Sequence, residues 1–188
     1  MTNHIDLGTV LRQTLSADLY SNLVTRPTGA AVRTQIETLL GETERSLTVI
    51  DFSHVSMIDF SCADEVIAKL LMRHGQKHEA YFVFRGVTDG HSDAIETVLE
   101  RHGLALVVES DSGVELMGVL EELEVSLFRA IKRRGSASAW ELAVDLNEPE
   151  HVLKRALDGM WRRRLLMRND DDYTVLTPGM TGGEGQIA

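Results

Sequence analysis

Three short apolar runs, residues 47–52 (LTVIDF), 80–87 (AYFVFRGV) and 104–108 (LALVV), constrain this chain more than any other feature. Each is rich in β-branched or aromatic residues and hydrophobic almost without alternation, as strands are when both faces are covered. Segments with helical spacing separate them. Over 61–74, Ala63, Val66, Ile67, Leu70 and Leu71 form one stripe, with Gly75 as a stop. Over 92–102, Ile95, Val98 and Leu99 do the same, and Gly103 follows. Upstream, Thr28 can cap a helix in which Val32, Ile36, Leu39 and Leu40 share a face, ending near Gly41. Helices alternating with buried strands predict an α/β layered domain. Residues 5–15 are expected to add one or two strands.

After Gly113 the pattern changes. Residues 114–120 read as a hairpin strand returning over the turn-forming run Ser110-Asp111-Ser112-Gly113. Three helical patterns follow. The first turns Val125, Phe128 and Ile131 inward and stops at Gly135. The second opens with Ser138-Ala-Trp-Glu141, the spacing of a capping box. The third, over 147–164, buries Leu153, Ala156, Leu157, Met160 and Trp161. Residues 165–168 and 173–176 then flank a polar tip, Asn169-Asp170-Asp171-Asp172, as a hairpin. Three short helices and a terminal hairpin describe a winged helix-turn-helix. The expected organisation is an α/β sheet domain over 1–119, a small winged-helix domain over 120–178 and a flexible, glycine-rich tail over 179–188.

Charge divides the chain in the same place. Residues 1–119 carry 9 basic and 17 acidic side chains; residues 120–178 carry 10 and 11. An acidic first part repels nucleic acid and suits a protein or a small molecule as partner. A homo-oligomer stays open as well. The near-neutral second part is compatible with protein or DNA. Cys62 is the one cysteine, which excludes an internal disulfide and any multi-cysteine metal site. No apolar run approaches the length of a membrane span, and the N-terminus lacks a signal-peptide layout, so a cytoplasmic location without membrane contact is expected.

The stretch 56–65 (SMIDFSCADE) joins an apolar run to an amphipathic one. Ser61 and Asp64 have capping-box spacing, and Asp64 and Glu65 fall in the first helical turn, where negative charge is favoured. The element order around this junction resembles the STAS fold family, the anti-sigma-factor antagonists and their relatives. Those antagonists carry an Asp-Ser-Ser-Gly type motif whose second serine is phosphorylated by a partner kinase. Here Asp59-Phe60-Ser61-Cys62 puts Asp59 on the aspartate and Ser61 on the acceptor, with Phe60 and Cys62 in place of the first serine and the glycine. The chain is more similar still to the STAS-like family of undefined function, through Asp51-Phe52, Ser61-Cys62-Ala63-Asp64-Glu65 and Thr25-Arg26-Pro27-Thr28-Gly29. The resemblance covers residues 5–118. It implies a phosphoacceptor or partner-binding face of Asp59, Ser61, Cys62, Asp64 and Glu65, and a GHKL-type kinase or an anti-sigma factor as partner. A phosphate on Ser61 would add nearly two negative charges at a helix N-terminus, against the repulsion of Asp59, Asp64 and Glu65.

Other chemistry has less behind it. Cys62 at a helix N-terminus could be nucleophilic, but its acidic neighbours oppose that, and a small inward-facing residue is the expected role. His74 and His78 have metal-ligand spacing without a third ligand. Asp51 and Asp59 could pair as acid and base, or one ends a strand and the other shapes a turn. No glycine-rich phosphate loop follows a strand, so the chain is expected to be no enzyme and to hold no cofactor or metal. Arg26 and Arg33, beside the Thr28 cap, face an acidic partner or the domain's own carboxylates. The C-terminal pattern resembles bacterial winged-helix regulators, which implies a third helix in the major groove. Lys154 and Arg155 lie among its outward positions with Glu150, His151 and Asp158; Arg129, Lys132, Arg133 and Arg134 lie on the first helix. Glu148, Glu150 and the aspartates of the hairpin tip oppose DNA, and Arg162, Arg163 and Arg164 are placed to pair with those aspartates. The expectation is a non-enzymatic bacterial regulator that binds a partner through its STAS-like half and has a winged helix as output. The alternative is a DNA-binding transcription regulator whose acidic half senses a ligand or dimerises.

Overall fold

The computed structural model describes residues 2–16, 21–40, 45–74 and 79–179. β1 (Thr2–Asp6) leads directly into α1 (Leu7–Leu15), so most of 5–15, expected to add one or two strands, is a helix. The reason is Asp6, whose Oδ1 accepts the backbone N–H groups of Gly8 (2.9 Å) and Thr9 (3.3 Å) and caps the helix as the strand ends. The short β2 (Asn22–Leu23) precedes α2 (Arg26–Leu40). Thr28 does not cap α2: the helix starts earlier, with the Gly29 N–H bonded to the Thr25 carbonyl at 3.1 Å. Gly41, Gly75 and His78 lie outside the described residues.

β3 (Arg45–Asp51) and β4 (Met57–Ile58) precede a helical stretch in three pieces. These are α3 (Phe60–Ala63), a π-helical turn (Asp64–Ala68) and α4 (Lys69–His74). Then come β5 (Glu79–Arg85), α5 (Asp89–His102), β6 (Ala105–Ser110) and β7 (Gly113–Gly118). The main sheet runs β1-β3-β5-β6-β7. Its first four strands are parallel; β7 returns antiparallel to β6 over the predicted turn. β2 and β4 form a small parallel pair. Gly103 ends α5 in the left-handed region (φ 62°), as its place in the sequence predicts.

The C-terminal part is α6 (Glu122–Arg134), β8 (Ser136–Ser138), α7 (Ala139–Leu146), α8 (Glu150–Arg162), β9 (Leu166–Asn169) and β10 (Asp172–Val175). Its strands form an antiparallel sheet in the order β8-β10-β9. The predicted capping box forms: the Ser138 N–H donates to Glu141 Oε2 at 2.8 Å, and the Glu141 N–H to Ser138 Oγ at 3.3 Å. On α6 the inward stripe is Glu124, Leu127, Phe128 and Ile131, and Val125 is only partly buried. α8 begins at Glu150, within the start expected over 147–150, because Asn147, left-handed at φ 53°, ends α7 and Pro149 precedes the first helical turn. Of the predicted tail, residues 180–188 lie outside the described residues.

Side chains alternate across the main sheet. Ile50, Phe82, Phe84 and Leu106 face a core shared with α1 through α5. Leu47, Tyr81, Val83, Ala105, Val107 and Val114 face a second core, completed by Leu127 and Ile131 of α6, Leu142 of α7, Leu153 and Leu157 of α8, and Tyr173 of β10. Right-handed crossovers between parallel strands put the connecting helices on one face of the sheet. The C-terminal half supplies the cover for the other. Among the described residues, no helix is long and apolar enough to cross a membrane.

Candidate functional site

At the Ser61 corner the cap is Asp59. Its carboxylate accepts the Cys62 N–H (2.7 Å) and the Ser61 hydroxyl (2.8 Å) on Oδ1 and the Thr25 N–H (2.9 Å) on Oδ2. Burial opposes its ionisation, but the N–H donors of Thr25 and Cys62 and the Ser61 hydroxyl outweigh that, so the Asp59 carboxyl sits below its ordinary range. Ser61 is inside the first helical turn, half-buried. The expected Ser61–Asp64 box does not form. Aspartate is as good a cap as serine, and Asp59 stands three residues before Cys62, so the helix starts sooner and Asp64 is turned inward.

Asp64 and Glu65 leave the surface altogether, at 7% and 3% exposure. Arg26 Nη1 donates to Asp64 Oδ2 and to Glu65 Oε1, both at 2.8 Å. His102 Nε2 lies 2.8 Å from Asp64 Oδ1. Arg33 Nε lies 3.4 Å from Glu65 Oε2, and Lys69 donates to Glu65 Oε1. Burial pushes both carboxyls up, and the bonds from Arg26 and His102 to Asp64 and from Lys69 and Arg26 to Glu65 bring them below their usual range. The two acids therefore belong to no partner face, and their repulsion of a phosphate is largely cancelled. Arg33 is buried and also bonds Glu37 at 2.9 Å, so it too is unavailable to a partner. The Arg26 side chain remains half-exposed.

Cys62 is fully buried, its Sγ donating to the Thr25 carbonyl at 2.9 Å. Burial first, then the Asp59 charge, pushes the thiol up to about 12. It is neither a nucleophile at neutral pH nor part of a surface. Gly29 explains how α2 passes so close: a Cβ there would stand 2.9 Å from Cys62 Cα and 3.1 Å from Glu65 Cβ. What remains accessible is Asp59, Phe60 and Ser61, bordered by Thr25 and Arg26, with Arg101 over the Phe60 ring at 5.4 Å. Arg101, His102 and Lys69 are members that sequence reasoning did not single out. Only Lys69 had a signal, its i,i+4 spacing from Glu65.

Asp51 and Asp59 do not act as a pair. Asp51 accepts the Ser53 N–H (2.9 Å) and lies 3.0 Å from His4 Nε2. His74 sits 3.8 Å from Glu37, and no metal-binding group of side chains exists among the described residues.

On the C-terminal part, Lys154 and Arg155 project from α8, exposed and without an ion pair among the described residues; the same holds for Arg133 of α6. Lys132 instead donates to the Ser112 carbonyl at 3.1 Å, and Arg134 to Asp145 at 2.5 Å and Glu141 at 3.4 Å. Asp158 is taken by the Tyr173 hydroxyl (2.6 Å) and by Arg168 (3.2 Å). Of Arg162, Arg163 and Arg164, predicted to pair with the hairpin tip, Arg162 has no ion pair among the described residues and Arg163 is anchored elsewhere. Arg163 donates to both Glu124 oxygens (2.9 and 3.0 Å) and to the Val119 carbonyl, and Arg164 lies over the Tyr81 and Trp161 rings. Missed in the sequence are Trp140 and Val144, one turn apart on α7 and 63% and 66% exposed. No protein-family model matches the chain, and no curated protein matches it.

Proposed function

We propose that this chain is a non-enzymatic regulatory adaptor of two functional halves. A STAS-like half receives a partner protein at the Ser61 corner, and a winged-helix half passes the signal on. The observation that carries this reading is that Asp59 performs the capping. The Ser61 hydroxyl is thereby spared that structural duty and stands at an accessible corner, and the nearby acids are neutralised by Arg26 and Lys69. Phosphorylation by a GHKL-type kinase would break the Ser61–Asp59 bond and set two negative charges against Asp59, changing the one part of this corner that a partner can touch.

Incubation with ATP and a GHKL-type kinase tests it. Mass spectrometry should find one phosphoryl group, absent in Ser61→Ala, and Ser61→Asp should lose the kinase complex that Ser61→Ala keeps. Equal binding by all three proteins and no phosphoryl transfer would sink the switch.

For the output, a protein surface is supported by exposed Trp140 and Val144 on α7, since tryptophan is enriched among the residues that carry binding energy at protein interfaces. A DNA reading rests on Lys154 and Arg155 of α8, with Arg133 of α6. It requires a low-salt mobility shift that charge reversal at Lys154 and Arg155 removes.

A further inference from the structure

A cavity of about 250 Å³ opens where the end of α8 meets the main sheet. Its walls are apolar: Leu71 and Met72 from α4, Phe82 from β5 and Leu104 just before β6. The third side is cationic, made by the successive residues Arg162, Arg163 and Arg164. These guanidinium groups have different duties. Arg163 is chelated by Glu124, and Arg164 rests on aromatic rings. Arg162 is exposed and has no ion pair among the described residues. None of the described lining residues is acidic. The C-terminal ends of α4 and α5 lie nearby, but each carries only about half a negative charge, less than one guanidinium.

We propose that this cavity binds a small organic anion with an apolar body, an aryl or short acyl carboxylate or phosphate monoester. Its charged end sits on Arg162 and its body on Met72, Phe82 and Leu104. By analogy with a 150 Å³ cavity that holds benzene, the space suits about ten non-hydrogen atoms. The bound molecule bridges α4, the sheet and the end of α8, so it fastens the C-terminal half to the N-terminal one. The site is independent of the Ser61 corner and of the partner switch proposed there.

Titration of the full chain with benzoate, phenyl phosphate and the uncharged benzyl alcohol, followed by amide NMR, tests this. Both anions should saturate with dissociation constants on the order of 1 mM, a scale typical of ligands this small. Shifts should concentrate at residues 103–105 and 162–164, and benzyl alcohol should bind about tenfold more weakly. Arg162→Gln, at an exposed position, should weaken both anions about tenfold and leave benzyl alcohol unchanged. Met72→Glu should abolish anion binding at an unchanged melting temperature. Equal binding of all three probes, shifts centred on other arginines or lysines, or no saturable shift at millimolar concentration would overturn the proposal.

Discussion

The competition between Asp59 and Ser61 for the helix cap has a measurable outcome. Asp59→Ala removes the acceptor for the N–H groups of Cys62 and Thr25 and for the Ser61 hydroxyl. Loss of an N-cap costs about 1 kcal/mol. Removing a charged acceptor from the Thr25 N–H costs about 1.5 kcal/mol. The Ser61 hydroxyl can turn to water, so its share is about 0.5 kcal/mol. The sum is about 3 kcal/mol, which at a urea dependence of about 2 kcal/mol per molar moves the midpoint down by about 1.5 M. Ser61→Ala should move it by only about 0.3 M on the same scale. The Asp59 carboxyl is held below its ordinary value in the folded chain, so its contribution is complete above about pH 4. It is lost as pH falls through the folded value. The stability gap between wild type and Asp59→Ala should therefore narrow below pH 4 and stay constant from pH 5 to 8. A Ser61→Ala cost equal to or larger than that of Asp59→Ala would refute the assignment of the cap.

Gly29→Ala should destabilise by about 2 kcal/mol, the scale of overpacking, because its Cβ would stand 2.9 Å from Cys62 Cα; an unchanged melting temperature would mean that α2 can withdraw freely. Cys62 should resist thiol reagents at pH 8 in the native protein and react promptly in urea, given its burial and a thiol raised to about 12; fast native labelling would contradict the packing. Residues 1–119 expressed alone leave Leu47, Tyr81, Val83 and Val107 uncovered, and should bind a hydrophobic dye or aggregate; a soluble fragment with a cooperative melt would show that the second core is dispensable.

The features legible in the sequence are those decided by neighbours. The β6–β7 turn, the glycine that ends α5 and the Ser138–Glu141 box are each written within a few residues, and they form as read. The Ser61 cap failed because two residues of equal capping power lie two positions apart, and local spacing cannot rank them. Asp64 and Glu65 read as surface acids because their partners are far away in the chain: Arg26 lies 38 and 39 residues upstream, and His102 lies 38 downstream of Asp64. Near-continuous hydrophobicity in the strands said that both sheet faces are covered. It could not say that residues after 120 do the covering, since period-2 alternation marks which side chains share a face and not what meets them.

The two-sided sheet sets a timetable for biosynthesis. On a ribosome, the five strands are made before the 57 residues from 120 to 176 that complete the second core. At ordinary elongation speeds those take roughly 3 to 11 s to make. For that interval Tyr81, Val83 and Val107 form an open hydrophobic wall on a nascent chain whose other face has already closed. Slowing translation after residue 119 would lengthen that exposure.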